Sequence, residues 1–258
     1  MSDNLHISIK EHTAFVTLDN PPANTWTLES LKALQAMLVE LKQNKRVTAL
    51  IIHAASERFF SAGADLNVFN NASEKEAKVM ADAFGAAFET LTDFSGLSIA
   101  AIDGYAMGGG LEVALACDIR IAEPQAVLAL PEASVGLLPC AGGTQNLTLL
   151  VGEGWAKRMI LCGEKIDGKQ ALEIGLIEQL ANQGQSLQAA EAMTLKLQSQ
   201  SPDAIRACKK LIQMGRHAPT HSVLAMEREL FVQLFSGKNQ QEGVAAFLAK
   251  RKPQWHYD

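Results

Sequence analysis

No apolar run in this 258-residue chain approaches the roughly 18 residues expected of a membrane-spanning helix. Its opening residues, Met1-Ser2-Asp3-Asn4, carry neither an apolar signal core nor an Arg-rich, acid-poor presequence, so a cytoplasmic location is the expectation. Cysteine is sparse and dispersed. Cys117, Cys140, Cys162 and Cys208 show neither the close pairing of a zinc site nor the density of a disulfide scaffold, which points to reduced thiols and no bound metal. Basic blocks are missing too: the net charge of -5 is scattered along the chain, which disfavours a nucleic-acid partner. Neither an internal repeat nor a low-complexity linker divides the sequence.

What remains is an ordinary globular composition, 48% hydrophobic and long enough to bury a full core. Short β-type runs at Leu5–Ile9, Ala14–Leu18, Ala49–His53, Ile99–Asp103 and Ile119–Ala122 alternate with helical patterns, the signature of repeated β-α units around a largely parallel sheet. Leu31, Leu34, Leu38 and Leu41 recur at three- and four-residue steps and mark one apolar helix face. Helix starts are signalled by Ser73 with Glu76, by Asp167 with Gln170, and by Ser201 followed by Pro202. The fold class is therefore α/β, with a β/α core over residues 1–199 and a helical region over 200–258 that packs on the body or on another subunit.

The densest chemical signal is a strand pattern running through Asp103-Gly104-Tyr105-Ala106-Met107 into Gly108-Gly109-Gly110 and then a helix. Glycine permits close approach of main chain to ligand, and the free N–H groups of a helix start can hold an anion or a developing oxyanion. A tight structural turn would read the same way. The three consecutive glycines depart from the spacing of a dinucleotide-binding turn, so a nicotinamide site has little support. Glu112 raises the stakes, because it is the only ionisable side chain between Gly108 and Cys117. A helix apolar almost all round is buried, and a buried carboxylate either shifts its pKa upward or finds a cation. Glu132 repeats the pattern within Val127–Pro139, and two such acids near one cleft suggest an acid–base pair. A further glycine turn, Ser61-Ala62-Gly63-Ala64, follows a strand and could supply a second N–H donor opposite Gly109.

These segments resemble the crotonase, or enoyl-CoA hydratase/isomerase, superfamily. Ser61-Ala62-Gly63-Ala64-Asp65-Leu66, Asp103 through Glu112, Leu130-Pro131-Glu132 and Ala141-Gly142-Gly143-Thr144-Gln145 stand in the family's order. The resemblance implies a spiral of β-β-α units with a C-terminal helical trimerisation region, assembled as a homotrimer or a dimer of trimers. It implies an acyl-CoA substrate and no separate cofactor, coenzyme A being part of the substrate. By matching positions, the N–H groups of Ala64 and Gly109 hold the thioester oxygen, and Ala62, Gly63, Ala64, Asp65 and Leu66 meet the coenzyme. Glu112 activates water for the β-carbon and Glu132 delivers a proton to the α-carbon. In the tail, Phe247 and Lys250 match residues that help close the site, often from a neighbouring subunit, although a solvated terminal helix would look similar. The retained pair of acids favours an enoyl-CoA hydratase. An isomerase, a hydratase-lyase and a non-catalytic acyl-CoA- or RNA-binding relative remain the alternatives. One departure stands out: Cys140 follows Pro139 where family hydratases usually carry glycine. Trp26, Met80, Phe84, Leu137 and Leu138 are candidates for the acyl pocket or for core.

Overall fold

The computed structural model describes residues 4–56, 58–216 and 218–257. The opening Met1-Ser2-Asp3 and the outermost positions of the expected 1–199 and 200–258 regions lie outside them. The chain starts with strands β1 (Leu5–Lys10) and β2 (Thr13–Leu18), an antiparallel pair with Leu5 opposite Leu18. A two-residue strand β3 (Thr25–Trp26) precedes helix α1 (Leu28–Gln43), whose first turn is closed by a reciprocal Thr27/Ser30 capping box. The expected apolar face is real: Leu31, Leu34, Leu38 and Leu41 are all buried, joined by Met37. Strand β4 (Ala49–Ala54) then pairs parallel with β2.

Two short strands, β5 (Phe59–Ser61) and β6 (Gly63–Ala64), lead to helix α2 (Glu74–Thr92), which starts at the Ser73/Glu76 capping box. Next come β7 (Leu97–Ile102), β8 (Tyr105–Met107), α3 (Gly109–Ala116), β9 (Ile119–Ala122) and β10 (Val127–Ala129). Then α4 (Gly143–Leu161) bends at Gly152, and β11 (Ile166–Asp167), α5 (Gly168–Glu173) and β12 (Gln179–Leu180) follow. The remainder is helical: α6 (Ser186–Leu197), α7 (Pro202–Met214), α8 (Thr220–Leu234) and α9 (Lys238–Leu248). Asp167 and Ser201 cap α5 and α7 as the sequence suggests. The expected strand Ile99–Asp103 is shifted, starting at Leu97 and ending before Asp103.

The larger sheet runs β1-β2-β4-β7-β9-β12, parallel apart from its first pair. Its central strands are covered on both faces, which is why they read as continuous apolar runs rather than alternating ones. A smaller sheet, β11-β10-β8-β5, and the pair β3-β6 stand beside it. Strands β5, β8 and β10 are parallel, so their carboxyl ends emerge at one edge of the small sheet. The chain leaves them at Ala62, Gly108 and Leu130, the three places where the candidate site residues begin.

Candidate active site

The turn from β8 into α3 requires glycine. Gly108 has φ +54°, a Cβ on Gly110 would lie 2.1 Å from the Ser61 carbonyl oxygen, and one on Gly109 would press into the Phe84 ring at 2.9 Å. Gly109 is the first residue of α3, where an N–H has no partner within the helix. Across from it, a Cβ on Gly63 would sit 2.6 Å from the Met107 carbonyl oxygen and 3.0 Å from the Gly109 nitrogen. The turn at Ala62–Ala64 and the start of α3 are thus in main-chain contact.

Glu112 sits in the first turn of α3 and is 2% exposed. Among the described residues, no lysine or arginine neutralises it. Instead the N–H groups of Ala141 and Gly143 both donate to its Oε1, at 2.8 and 2.9 Å. Burial pushes its pKa up, and these N–H groups, with that of Cys140, pull it part of the way back. Glycine suits position 143, since a Cβ would lie 2.8 Å from that same oxygen and 2.8 Å from the Pro139 ring.

Glu132 opens a short 3-10 turn, Glu132–Val135, immediately after β10. Its Oε2 is buried and has no hydrogen-bond partner among the described residues. Its Oε1 lies against Gly108, 3.1 Å from where a Cβ would stand. Burial first, and the Glu112 charge after it, raise its pKa to about 7. The two carboxyls therefore differ in environment: one is gripped by main-chain donors, the other is left in apolar surroundings and holds its proton near neutrality.

Both acids face one open cavity of about 880 Å³ whose wall also includes Ala62, Ala64, Leu66, Phe84, Gly109 and Cys140. Of the anticipated pocket residues, Leu137 and Leu138 line it with Phe84, whereas Trp26 and Met80 belong to the core. Gly63 lies behind the wall. Asp65 turns its carboxylate to the Asn67 N–H and caps the short turn Leu66–Phe69. Phe247 and Lys250 are not brought to this cavity: Phe247, near the end of α9, is 82% exposed, and Lys250 lies just past it. Cys140 is exposed at the cavity, yet partial burial of its thiol and the charges of Glu112 and Glu132 push it up to about 11, which keeps it protonated. The functional groups that sequence reasoning missed are the Ala141 and Gly143 N–H donors. Main-chain donors leave no mark in side-chain identity except the glycine that lets them approach.

The sequence pattern described as Enoyl-CoA hydratase/isomerase matches residues 8–258. The chain belongs to this family. The structure of DspI from Pseudomonas aeruginosa is 54% identical and superposes with a TM-score of 0.97, over 99% of this chain and 97% of that one. An enoyl-CoA hydratase from Bacillus anthracis, 32% identical, gives a TM-score of 0.95 over 99% of this chain and all of its own (100%). Among curated relatives, a probable enoyl-CoA hydratase of Bacillus subtilis (strain 168) is 36% identical across 97% of this chain and 98% of its own. The fold is accordingly the crotonase fold expected from the motifs. Among the described residues, no helix is long and apolar enough to cross a membrane.

Proposed function

We propose that this protein is an enoyl-CoA hydratase that adds water across the 2,3 double bond of a 2-enoyl-CoA to give a 3-hydroxyacyl-CoA. The observation that carries the reading is the pair of pKa-raised carboxyls, Glu112 and Glu132, on the wall of the one cavity that also contains Ala64 and the start of α3. The thioester oxygen sits between the N–H groups of Ala64 and Gly109. Each donor of this kind contributes about 3 kcal/mol when charge develops on the oxygen. Glu112, oriented through Oε1, takes a proton from water as the water oxygen bonds to the β-carbon. The π electrons move to an enolate held by the two N–H groups. Glu132 then protonates the α-carbon, and exchange with solvent resets both acids. A separate cofactor has no task in this sequence, and coenzyme A enters as part of the substrate.

Double-bond isomerisation and hydratase-lyase chemistry would use the same enolate, so the product decides between them. Crotonyl-CoA is expected to lose its enoyl absorbance and yield 3-hydroxybutyryl-CoA. Glu112→Gln and Glu132→Gln keep the shape of each side chain and remove its acid–base function. Each is expected to lose about 10²–10⁴-fold in hydration rate while still binding an acyl-CoA product analogue. Near-wild-type hydration by both variants would remove the carboxylates from the mechanism and leave a thioester-binding protein.

A further inference from the structure

Building on that reading, we propose that Ser61 is a positioning residue that sets the spacing between the Ala64 and Gly109 N–H donors. The Ser61 side chain is fully buried and lines no part of the cavity. Its hydroxyl donates to the Asn24 carbonyl oxygen at 2.7 Å and accepts the Gly63 N–H at 3.1 Å. One oxygen thus bridges the loop before β3 and the turn that delivers Ala64.

Asn24 is itself locked. Its backbone has φ +51°, its N–H reaches Asn20 O, and its side-chain amide donates to Phe59 O at 2.9 Å and Phe60 O at 3.3 Å. The Ala62 N–H adds a bond to Ala23 O at 2.9 Å. The anchor on which Ser61 pulls is therefore rigid. On its other side, the Ser61 carbonyl touches Gly110 in the first turn of α3, and Gly63 touches Gly109.

Beyond the turn, Asp65 rather than Ala64 donates to Trp26 O, at 3.3 Å. Successive N–H groups of an extended strand point to opposite sides, so the Ala64 N–H is directed away from β3. Ser61 consumes the Gly63 N–H and leaves that of Ala64 as the group presented at the α3 side. Without the hydroxyl, the Asn24 carbonyl and the Gly63 N–H, which face each other in the β3–β6 register, would each lose a partner, and the turn would have to close toward β3 to pair them, which moves Ala64 relative to α3.

The role makes a separable prediction, because misplacing a donor weakens transition-state contacts more than ground-state ones. Ser61→Ala is expected to lose roughly 10- to 100-fold in kcat, in keeping with the cost of ångström-scale misplacement, with KM changed by less than about threefold. Ser61→Cys, which retains a weak donor and acceptor, should recover part of that loss. The direct readout is the absorption band of 4-dimethylaminocinnamoyl-CoA, which moves to the red when its carbonyl is polarised. Wild-type protein should shift the band and Ser61→Ala should shift it less, while free coenzyme A binds both equally. A full band shift and wild-type kcat in folded Ser61→Ala, or in Ser61→Gly should the alanine variant not fold, would overturn the inference. Absence of any shift with wild-type protein would instead overturn the thioester reading on which it rests.

Discussion

At the scale of single residues, the environment of Glu132 links catalysis and stability through one proton. Its folded pKa of about 7 stands above the ordinary 4.5. The folded protein therefore holds this proton more tightly than the unfolded chain. That contribution to stability is complete below about pH 4.5 and is lost as pH rises through about 7. Thermal melting should accordingly show Glu132→Gln gaining on wild type between about pH 5 and pH 8, and a constant difference across that range would contradict the burial argument. If Glu132 is the proton donor, kcat/KM for hydration should fall as pH rises through about 7, since only the protonated form can act. Cys140 is shifted in the same direction and has no proton to give near neutrality: with its thiol near 11, alkylation by iodoacetamide at about pH 7.5 should be slow, and Cys140→Gly should retain hydration of short substrates. Loss of all activity in a folded Cys140→Ser protein would show a chemical role for sulfur. Both acids were legible beforehand because each is the lone charge in an apolar run. The grip on Glu112 by Ala141 and Gly143 was not, because it is made by atoms every residue possesses.

Among the elements, legibility followed length and capping chemistry. Helix α1 and the starts of α2, α5 and α7 were readable because apolar spacing or a capping side chain announces them. Of the small sheet, only the run into Gly108 that holds β8 reads as strand in the sequence, and its partners β5, β10 and β11 do not. Strands β5, β8, β10 and β11 have two or three residues each, too few to show an alternating pattern, and they exist because tertiary pairing holds them. The attachment of α7 to the body was equally hidden. Lys209 Nζ donates to Asp118 Oδ2 at 2.6 Å and to Gly96 O at 2.8 Å, and the same Asp118 oxygen accepts the N–H and hydroxyl of Ser98. The pair joins residues 91 positions apart, beyond the reach of local pattern. Lys209→Met should cost about 3 kcal/mol by urea unfolding, because it strands a mostly buried carboxylate. Adding Asp118→Asn should restore part of that loss, a non-additivity expected of partners in contact. Strictly additive costs would mean the two side chains contribute independently.

For the molecule as a whole, the C-terminal helices are incompletely used by the chain that carries them. Helix α8 buries none of its residues, and Phe231, Val232 and Phe235 are each more than half exposed. Phe247 and Leu248 add to the exposed apolar surface at the end of α9. Clustered apolar exposure of this kind is uncommon on a monomer that stays alone. The crotonase motifs imply symmetric copies, and a copy is the occupant that the resemblance supplies for this surface. Light scattering at micromolar concentration should therefore report a trimer or a dimer of trimers. Replacing two aromatic side chains by carboxylates, Phe231→Asp with Phe235→Asp, should shift the mass toward the monomer, since burying those charges at an interface is costly. The same variant tests where Phe247 and Lys250 work, because neither lines its own chain's cavity. If a neighbour's α9 closes the site, dissociation should raise KM for enoyl-CoA while Glu112 and Glu132 keep their raised pKa values within the subunit. A stable wild-type monomer with full hydration activity would remove both the assembly and any part for Phe247 and Lys250 in it.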